Sequence, residues 1–118
     1  MSFNESNTGS LKAGATFEVG VLVKIVSGAL HPATLTEEYV GVALRKASAI
    51  GDIIPFRYKN AGGSVELLTE ASVSAANLPL YGRGAGKVST VSTSSALRVG
   101  VSLRPAGANE LVEALLDR

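Results

Sequence analysis

The side chains that could carry out chemistry are few in this sequence, and they form no catalytic pattern. His31 is the only histidine, and there is no cysteine. A serine nucleophile needs a histidine base oriented by a carboxylate, and no Gly-x-Ser-x-Gly segment is present to supply the serine. Zinc sites use several histidine or cysteine ligands. We therefore predict that His31 lies in a surface loop beside Pro32, without a catalytic or metal-binding role.

A glycine-rich run, Gly82–Lys87 (GRGAGK), is similar in composition to a phosphate-binding loop. That loop needs two glycines separated by four residues, then lysine, then a serine or threonine whose hydroxyl binds magnesium. Here the spacing is one residue short, and Val88 follows the lysine. The run is more typical of a hairpin tip than of a nucleotide site.

The acidic residues are dispersed, apart from the adjacent pair Glu37–Glu38. Neighbouring residues of a strand point to opposite faces, so this pair is not expected to act as a general acid and base. We interpret it as part of a solvated loop. With no catalytic, cofactor-binding or metal-binding residue to name, we expect that the protein is not an enzyme and has no small-molecule substrate.

Composition limits the remaining possibilities. A chain of 118 residues is typical of a single domain. Eleven basic and ten acidic side chains are interspersed, without the basic stripe that marks a nucleic-acid-binding surface. No run approaches the roughly 20 apolar residues of a membrane-spanning helix, and the N-terminus has no apolar stretch typical of a secretion signal. We expect neither nucleic acid nor membrane as a partner, and synthesis in a reducing cytoplasm.

The most informative feature is a repeated segment. Val40–Ala49 (VGVALRKASA) and Val99–Ala108 (VGVSLRPAGA) begin 59 residues apart and agree at seven of ten positions. Each copy ends an alternating apolar run, enters a turn of small residues, and precedes an acidic residue and another apolar run. We interpret the chain as one β-domain over residues 13–118, built from two related modules at about 17–59 and 78–118.

Period-two alternation and turn residues place the strands. In the second repeated strand they put Val99, Val101 and Leu103 on the inner face. Pro55 cannot donate a ladder hydrogen bond, which predicts that its strand lies at a sheet edge or carries a bulge. The segment 109–118 fits either a strand or a helix, and we favour a strand because the repeat aligns it with 53–58. Residues 1–12 are polar and aperiodic, and we expect a flexible N-terminal arm there. The predicted strands are 17–25, 40–44, 52–59, 65–67, 78–81, 88–91 and 99–103.

The order of these motifs resembles a known family. Val40–Leu44, Leu80–Tyr81, Gly86–Val88 and Val99–Leu103 follow one another as in the head decoration proteins of tailed bacteriophages, also called capsid cement proteins. The resemblance covers residue 13 to the C-terminus. It implies an all-β fold, a small β-barrel or tulip-like sandwich, with an N-terminal arm and at most one short helix.

The resemblance also implies a function. Such proteins assemble as homotrimers on the outer capsid surface of the virion, where they bridge major capsid protein subunits without cofactor or catalysis. By position in the arm, Phe3, Asn4 and Leu11 are the expected capsid contacts. The matched arginines Arg45 and Arg104 are expected either to point outward or to contact another subunit, for which arginine is favoured. The alternative is a non-catalytic β-domain of a phage tail or baseplate, or a cellular ligand-binding adaptor.

Overall fold

The computed structural model describes residues 8–34, 37–59, 63–91 and 97–117. These residues form an all-β protein with one short 3₁₀ turn, Gly84–Gly86, and no α-helix. Since they contain no long apolar helix, none of them could cross a membrane in helical form. In chain order the strands are β1 Thr8–Lys12, β2 Leu22–Val26, β3 Ala29–Pro32, β4 Gly41–Ala43, β5 Ile53–Tyr58, β6 Ser64–Leu68, β7 Pro79–Gly82, β8 Val88–Ser89, β9 Arg98–Ser102 and β10 Leu111–Leu116.

The ten strands form two antiparallel sheets with the same internal plan. The first sheet has the order β1-β5-β4-β2-β3, and the second has the order β6-β10-β9-β7-β8. Each strand of the first sheet therefore has a counterpart five strands later. We call residues 8–59 the first module and residues 63–117 the second module. The structural repeat thus includes β1 and β6, which lie upstream of the repeated segment seen in the sequence.

Backbone conformation repeats as well. Left-handed residues occur in matching places, as in the tip between β2 and β3 (Ser27–Gly28) and the tip between β7 and β8 (Ala85–Gly86). Hydrogen bonds match in the same way. The amide of Phe17 donates to Ala47, and the amide of Val73 donates to Ala106. We conclude that the two modules share one local design, in which the same turns and bridges hold equivalent strands.

Each sheet curls until its edge strands approach each other. Isolated parallel bridges close the seams, between Ala13 and Leu30 in the first module and between Thr69 and Val88 in the second. Side chains on the concave faces form two clusters of buried apolar residues, one for each module. Each module is therefore a small, nearly closed barrel, and the pair gives the sandwich-like barrel architecture predicted from the sequence.

The convex side of the first sheet supplies the contact between the modules. Leu22 and Val42 lie opposite each other on β2 and β4, and both are buried in the core cluster of the second module. Tyr39 joins them there, and its burial raises its pKa to about 12, with Asp117 and Glu38 adding to the shift. Burial of each such aliphatic side chain contributes about 1.5–3 kcal/mol. The contact makes one folded unit of the two modules.

Glycine in the repeated Val-Gly-Val segment allows a close approach of strands. A Cβ atom on Gly41 would lie 2.0 Å from the carbonyl oxygen of Arg57, and one on Gly100 would lie 2.0 Å from the carbonyl oxygen of Leu115. Side-chain atoms cannot occupy such distances. The glycine of the repeat is therefore required by the neighbouring strand, which explains why both copies retain it.

Several sequence predictions are confirmed and others are corrected. Residues 111–116 form a strand, as favoured. His31 and Pro32, predicted to lie in a loop, belong to β3 instead, where His31 is opposite Lys24. Pro55 does not lie at a sheet edge, because β1 pairs with β5 on its outer side. The reason is that the polar residues 8–12, predicted to be arm, form that added strand. Residues 1–7 lie outside the described residues.

The predicted inner face of the second repeated strand is also wrong. Val99 is buried, but Val101 is half-buried and Leu103 is exposed. A register shift between Leu80 and Tyr81 marks a bulge in the pairing of β7 with β9. A bulge inserts an extra residue and reverses the phase of alternation beyond it. Val99 therefore points into the second module, whereas Val101 points away from it.

Candidate binding surfaces

A cleft of about 730 Å³ runs along the junction of the two modules. Its apolar lining includes Val42 of the first module and Val65 of the second, and Leu44 and Leu111 are exposed there. Charged side chains of both signs line the cleft as well, including Arg57 and Glu66. This mixture of apolar and oppositely charged groups is suited to a protein contact rather than to one highly charged ligand.

The two matched arginines have different surroundings. Arg104 donates through Nε to a carboxylate oxygen of Glu113 at 2.9 Å, and Ser64 donates to the other carboxylate oxygen at 3.0 Å. The first module has Pro55 at the position equivalent to Glu113, so Arg45 lacks this carboxylate. Both arginines are exposed, and Arg104 lines the cleft. Their outward orientation matches one of the two interpretations, and a subunit contact stays a prediction.

The predicted capsid-contacting residues divide between described and undescribed parts of the chain. Phe3 and Asn4 lie outside the described residues. Leu11 is half-buried in β1, lies opposite Ile54, and packs against the core of the first module. This packing ties Leu11 to the stability of the first module, and capsid contact through these three residues stays a prediction.

The residues considered for catalysis do not converge in the described part of the chain. His31 packs against Gly14, where a Cβ would lie 2.2 Å from its Nε2 atom. The glycine-rich run forms the predicted hairpin tip, and Lys87 donates from Nζ to Asn109 at 3.0 Å. No three histidine or carboxylate side chains of the described ranges come together as metal ligands.

Glu37 and Glu38 point to different partners, as expected for neighbouring residues. Glu37 pairs with the ammonium group of Lys24 and accepts hydrogen bonds from the amide and hydroxyl of Thr34 at 2.8 and 2.9 Å. These contacts, with that of Lys24 the largest, lower the pKa of Glu37 to about 2. Glu38 accepts a hydrogen bond from Lys59 at 3.2 Å. Glu37 and Glu38 therefore stabilise the chain just before β4, each through its own partners, and they do not act on each other as acid and base.

A surface that sequence reasoning missed lies on the convex side of the second sheet. Pro79, Val101 and Leu115 stand directly opposite one another on β7, β9 and β10. Leu115 is 41 % exposed, and Pro79 and Val101 are half-buried. We call these three residues the open row. The sequence of β10, Leu111–Leu116 (LVEALL), could have indicated this surface. A strand with apolar residues on both of its faces is typical of a strand that is buried on both faces.

Comparison with known proteins identifies the fold. No family model matches this chain, and no curated protein sequence matches it. A solved structure, the N base of the head fiber gp8.5 in bacteriophage phi29, is similar with a TM-score of 0.75 and 14 % sequence identity. The match covers 93 % of this chain and 92 % of that chain. The chain therefore has the same all-β fold as this head fiber base along almost its whole length.

Proposed function

We propose that this chain is a structural protein of a bacteriophage virion. In this proposal it binds the outer surface of the head as an oligomer, and it stabilises the head by bridging major capsid protein subunits. The observation that carries the proposal is the fold similarity to a head fiber base, which extends over 93 % of the chain. The order of motifs in the sequence, which resembles capsid decoration proteins, supports the same class of function independently.

The physical character of the molecule supports this role. The charge is nearly balanced, at +1, and ion pairs such as Arg98–Asp117 at 2.9 Å link neighbouring strands of a sheet. Among the described residues, by contrast, apolar side chains stay exposed both in the cleft, at Leu44 and Leu111, and along the open row, at Leu115. Exposed apolar surface bordered by polar groups is typical of protein interaction sites. An oligomer would also hold several equivalent contacts at once, which raises avidity without any single strong contact.

A second candidate function follows from the similar structure itself, which is the base of a head fiber. In that case the chain would attach another protein segment to the head, and capsid stabilisation would be secondary. The two candidates differ in what they predict for the particle. A cement protein increases the resistance of the shell, whereas a fiber base needs only to bind.

The test is addition of the purified protein to heads that lack decoration, followed by sedimentation and a thermal disruption assay. We expect saturable co-sedimentation and an increase in the temperature at which the heads release DNA. Binding with no change in that temperature would favour the fiber base. Failure to bind any region of the head would contradict the proposal.

A further inference from the structure

The open row has a counterpart in the first module whose surroundings are known. Leu22 and Val42 of that module occupy the strand positions that Pro79 and Val101 occupy in the second, because β2 and β4 correspond to β7 and β9. The first pair is buried beneath a β-module of this same chain, with Val42 only 1 % exposed. The second pair has no such cover among the described residues. The same sheet face is therefore occupied in one module and open in the other.

Residue types along the open row fit a covered face better than a solvated one. The counterpart of Leu115 is Arg57, since each pairs with the corresponding residue of the neighbouring strand, Val101 and Val42. At this open position the second module therefore carries a leucine where the first module carries an arginine. An antiparallel sheet with one solvent-exposed face normally carries polar side chains on that face. The open row instead continues the apolar character of the core to the outside.

The border of the open row has the form of an interface rim. The ion pair Arg98–Asp117 joins β9 to the residue that follows β10, and Arg104–Glu113 joins the residues after β9 to β10, each with a nitrogen–oxygen distance of 2.9 Å. Arg57 and Lys59 line a pocket together with Leu115, and Glu66 lies opposite Glu113 on β6, so charges of both signs border the row. An apolar centre with a polar rim is the usual anatomy of a protein–protein interface. This border permits contact between identical surfaces.

We propose that the open row is the self-association surface of this protein, which a second copy of the chain covers. In this chain the equivalent row of the first module is covered by the second β-module, which has the same strand order as the first. A second copy offers such β-modules, with the same near-neutral charge. This inference rests on the oligomer in the proposed function and names the surface through which it forms.

The experiment compares Leu115→Arg with Ile53→Arg. Arginine is the residue that the first module carries at the equivalent position, and Leu115 is 41 % exposed, so a longer side chain can extend into solvent there. Ile53 is an exposed strand residue of the first module, at 55 %, and supplies a control with the same change in charge. Sedimentation velocity over a dilution series of the full chain measures the dissociation constant of the oligomer, and circular dichroism checks the fold.

We expect an oligomer for the unmodified chain and for Ile53→Arg, and an increase of at least tenfold in the dissociation constant for Leu115→Arg. An unchanged dissociation constant for Leu115→Arg, or a monomeric unmodified chain, would overturn the inference. Labelling supplies a second measurement, because the natural chain has no cysteine. In Val101→Cys, the thiol should react with maleimide more slowly as the protein concentration rises. Equal rates at all concentrations would also overturn it.

The same variants separate this inference from the proposed function. If Leu115→Arg stays oligomeric but no longer binds undecorated heads, the open row contacts capsid protein, and self-association through it is refuted while the function stands. If the open row mediates association but the unmodified oligomer binds no head, the inference stands and the virion function is refuted.

Discussion

Replacing Gly100 by alanine should destabilise the second module strongly. The new Cβ would lie 2.0 Å from the backbone oxygen of Leu115 and 3.0 Å from the Cα of Leu116. Since the obstructing atoms belong to backbone rather than to a flexible side chain, β9 and β10 must separate by a distance on the order of 1 Å. Overpacking typically costs about 1–3 kcal/mol, and each weakened ladder hydrogen bond adds about 1 kcal/mol. We therefore expect a loss of about 3 kcal/mol or more.

Urea unfolding, followed by circular dichroism at one fixed protein concentration, measures this loss. Gly41→Ala should behave alike, because its Cβ would also lie 2.0 Å from a backbone oxygen, that of Arg57. Gly84→Ala is the matched control, since no atom lies within 4 Å of its Cβ position, and we expect a change within about 0.5 kcal/mol, as for most surface substitutions. A free energy of unfolding for Gly100→Ala equal to that of Gly84→Ala would refute the close-approach explanation of the repeat.

Three further predictions follow from the structure. Val99→Asp should lower the free energy of unfolding by several kcal/mol, because it buries an unpaired charge. Val101→Asp should cost much less when the chain is measured at a concentration where it is monomeric, because Val101 is only half-buried there. Equal losses in urea unfolding under those conditions would contradict the bulge. Glu37→Gln should remove a pH-dependent contribution to stability. The lowered pKa of Glu37, about 2 against an ordinary value of 4.5, means that this contribution is complete above pH 4.5 and is lost as the pH falls toward 2. The stability difference between Glu37→Gln and the unmodified chain should therefore narrow over that interval, and a constant difference in acid unfolding curves would disprove the role of the ion pair. Deletion of residues 1–7 should leave the melting temperature unchanged and weaken binding to undecorated heads. Deletion of residues 1–12 should also destabilise the fold, because it removes β1. Unchanged head affinity after the shorter deletion would exclude the arm from capsid contact.

Much of the fold could be predicted because the repeat and the alternation are local signals. The duplicated Val-Gly-Val segment indicated two related modules, and alternation in Ile53–Tyr58 indicated a strand that its copy, Leu111–Leu116, shares. Turn residues located the hairpin tip at Gly84–Gly86. These features depend on nearest neighbours along the chain, so the sequence alone contains them.

The errors have a common cause, which is dependence on distant parts of the chain. Thr8–Lys12 has no apolar alternation, and it becomes a strand because β5 offers a free edge to which it can pair. The facing of Val101 depends on a bulge defined by the pairing of β7 with β9. The open row is likewise invisible without pairing, because Pro79 and Leu115 are 36 residues apart in the sequence and meet only through β9.

The candidate surfaces were harder to predict than the fold. The repeat aligns Arg45 with Arg104, but only the structure reveals that Glu113 pairs with Arg104 at 2.9 Å. The apolar character of the second module's outer sheet face could have been suspected from the double-sided apolar pattern of Leu111–Leu116. Which of its faces was open depends on the packing of the two modules, and no local pattern encodes that packing.

The most direct test of a virion role is an electron-microscopy map of the particle on which this protein is found. We expect density of this double-barrel shape on the outer surface of the head. It should contact more than one major capsid protein subunit, with the open rows directed at neighbouring copies. Density confined to the tail or baseplate, or absence of the protein from the particle, would contradict it.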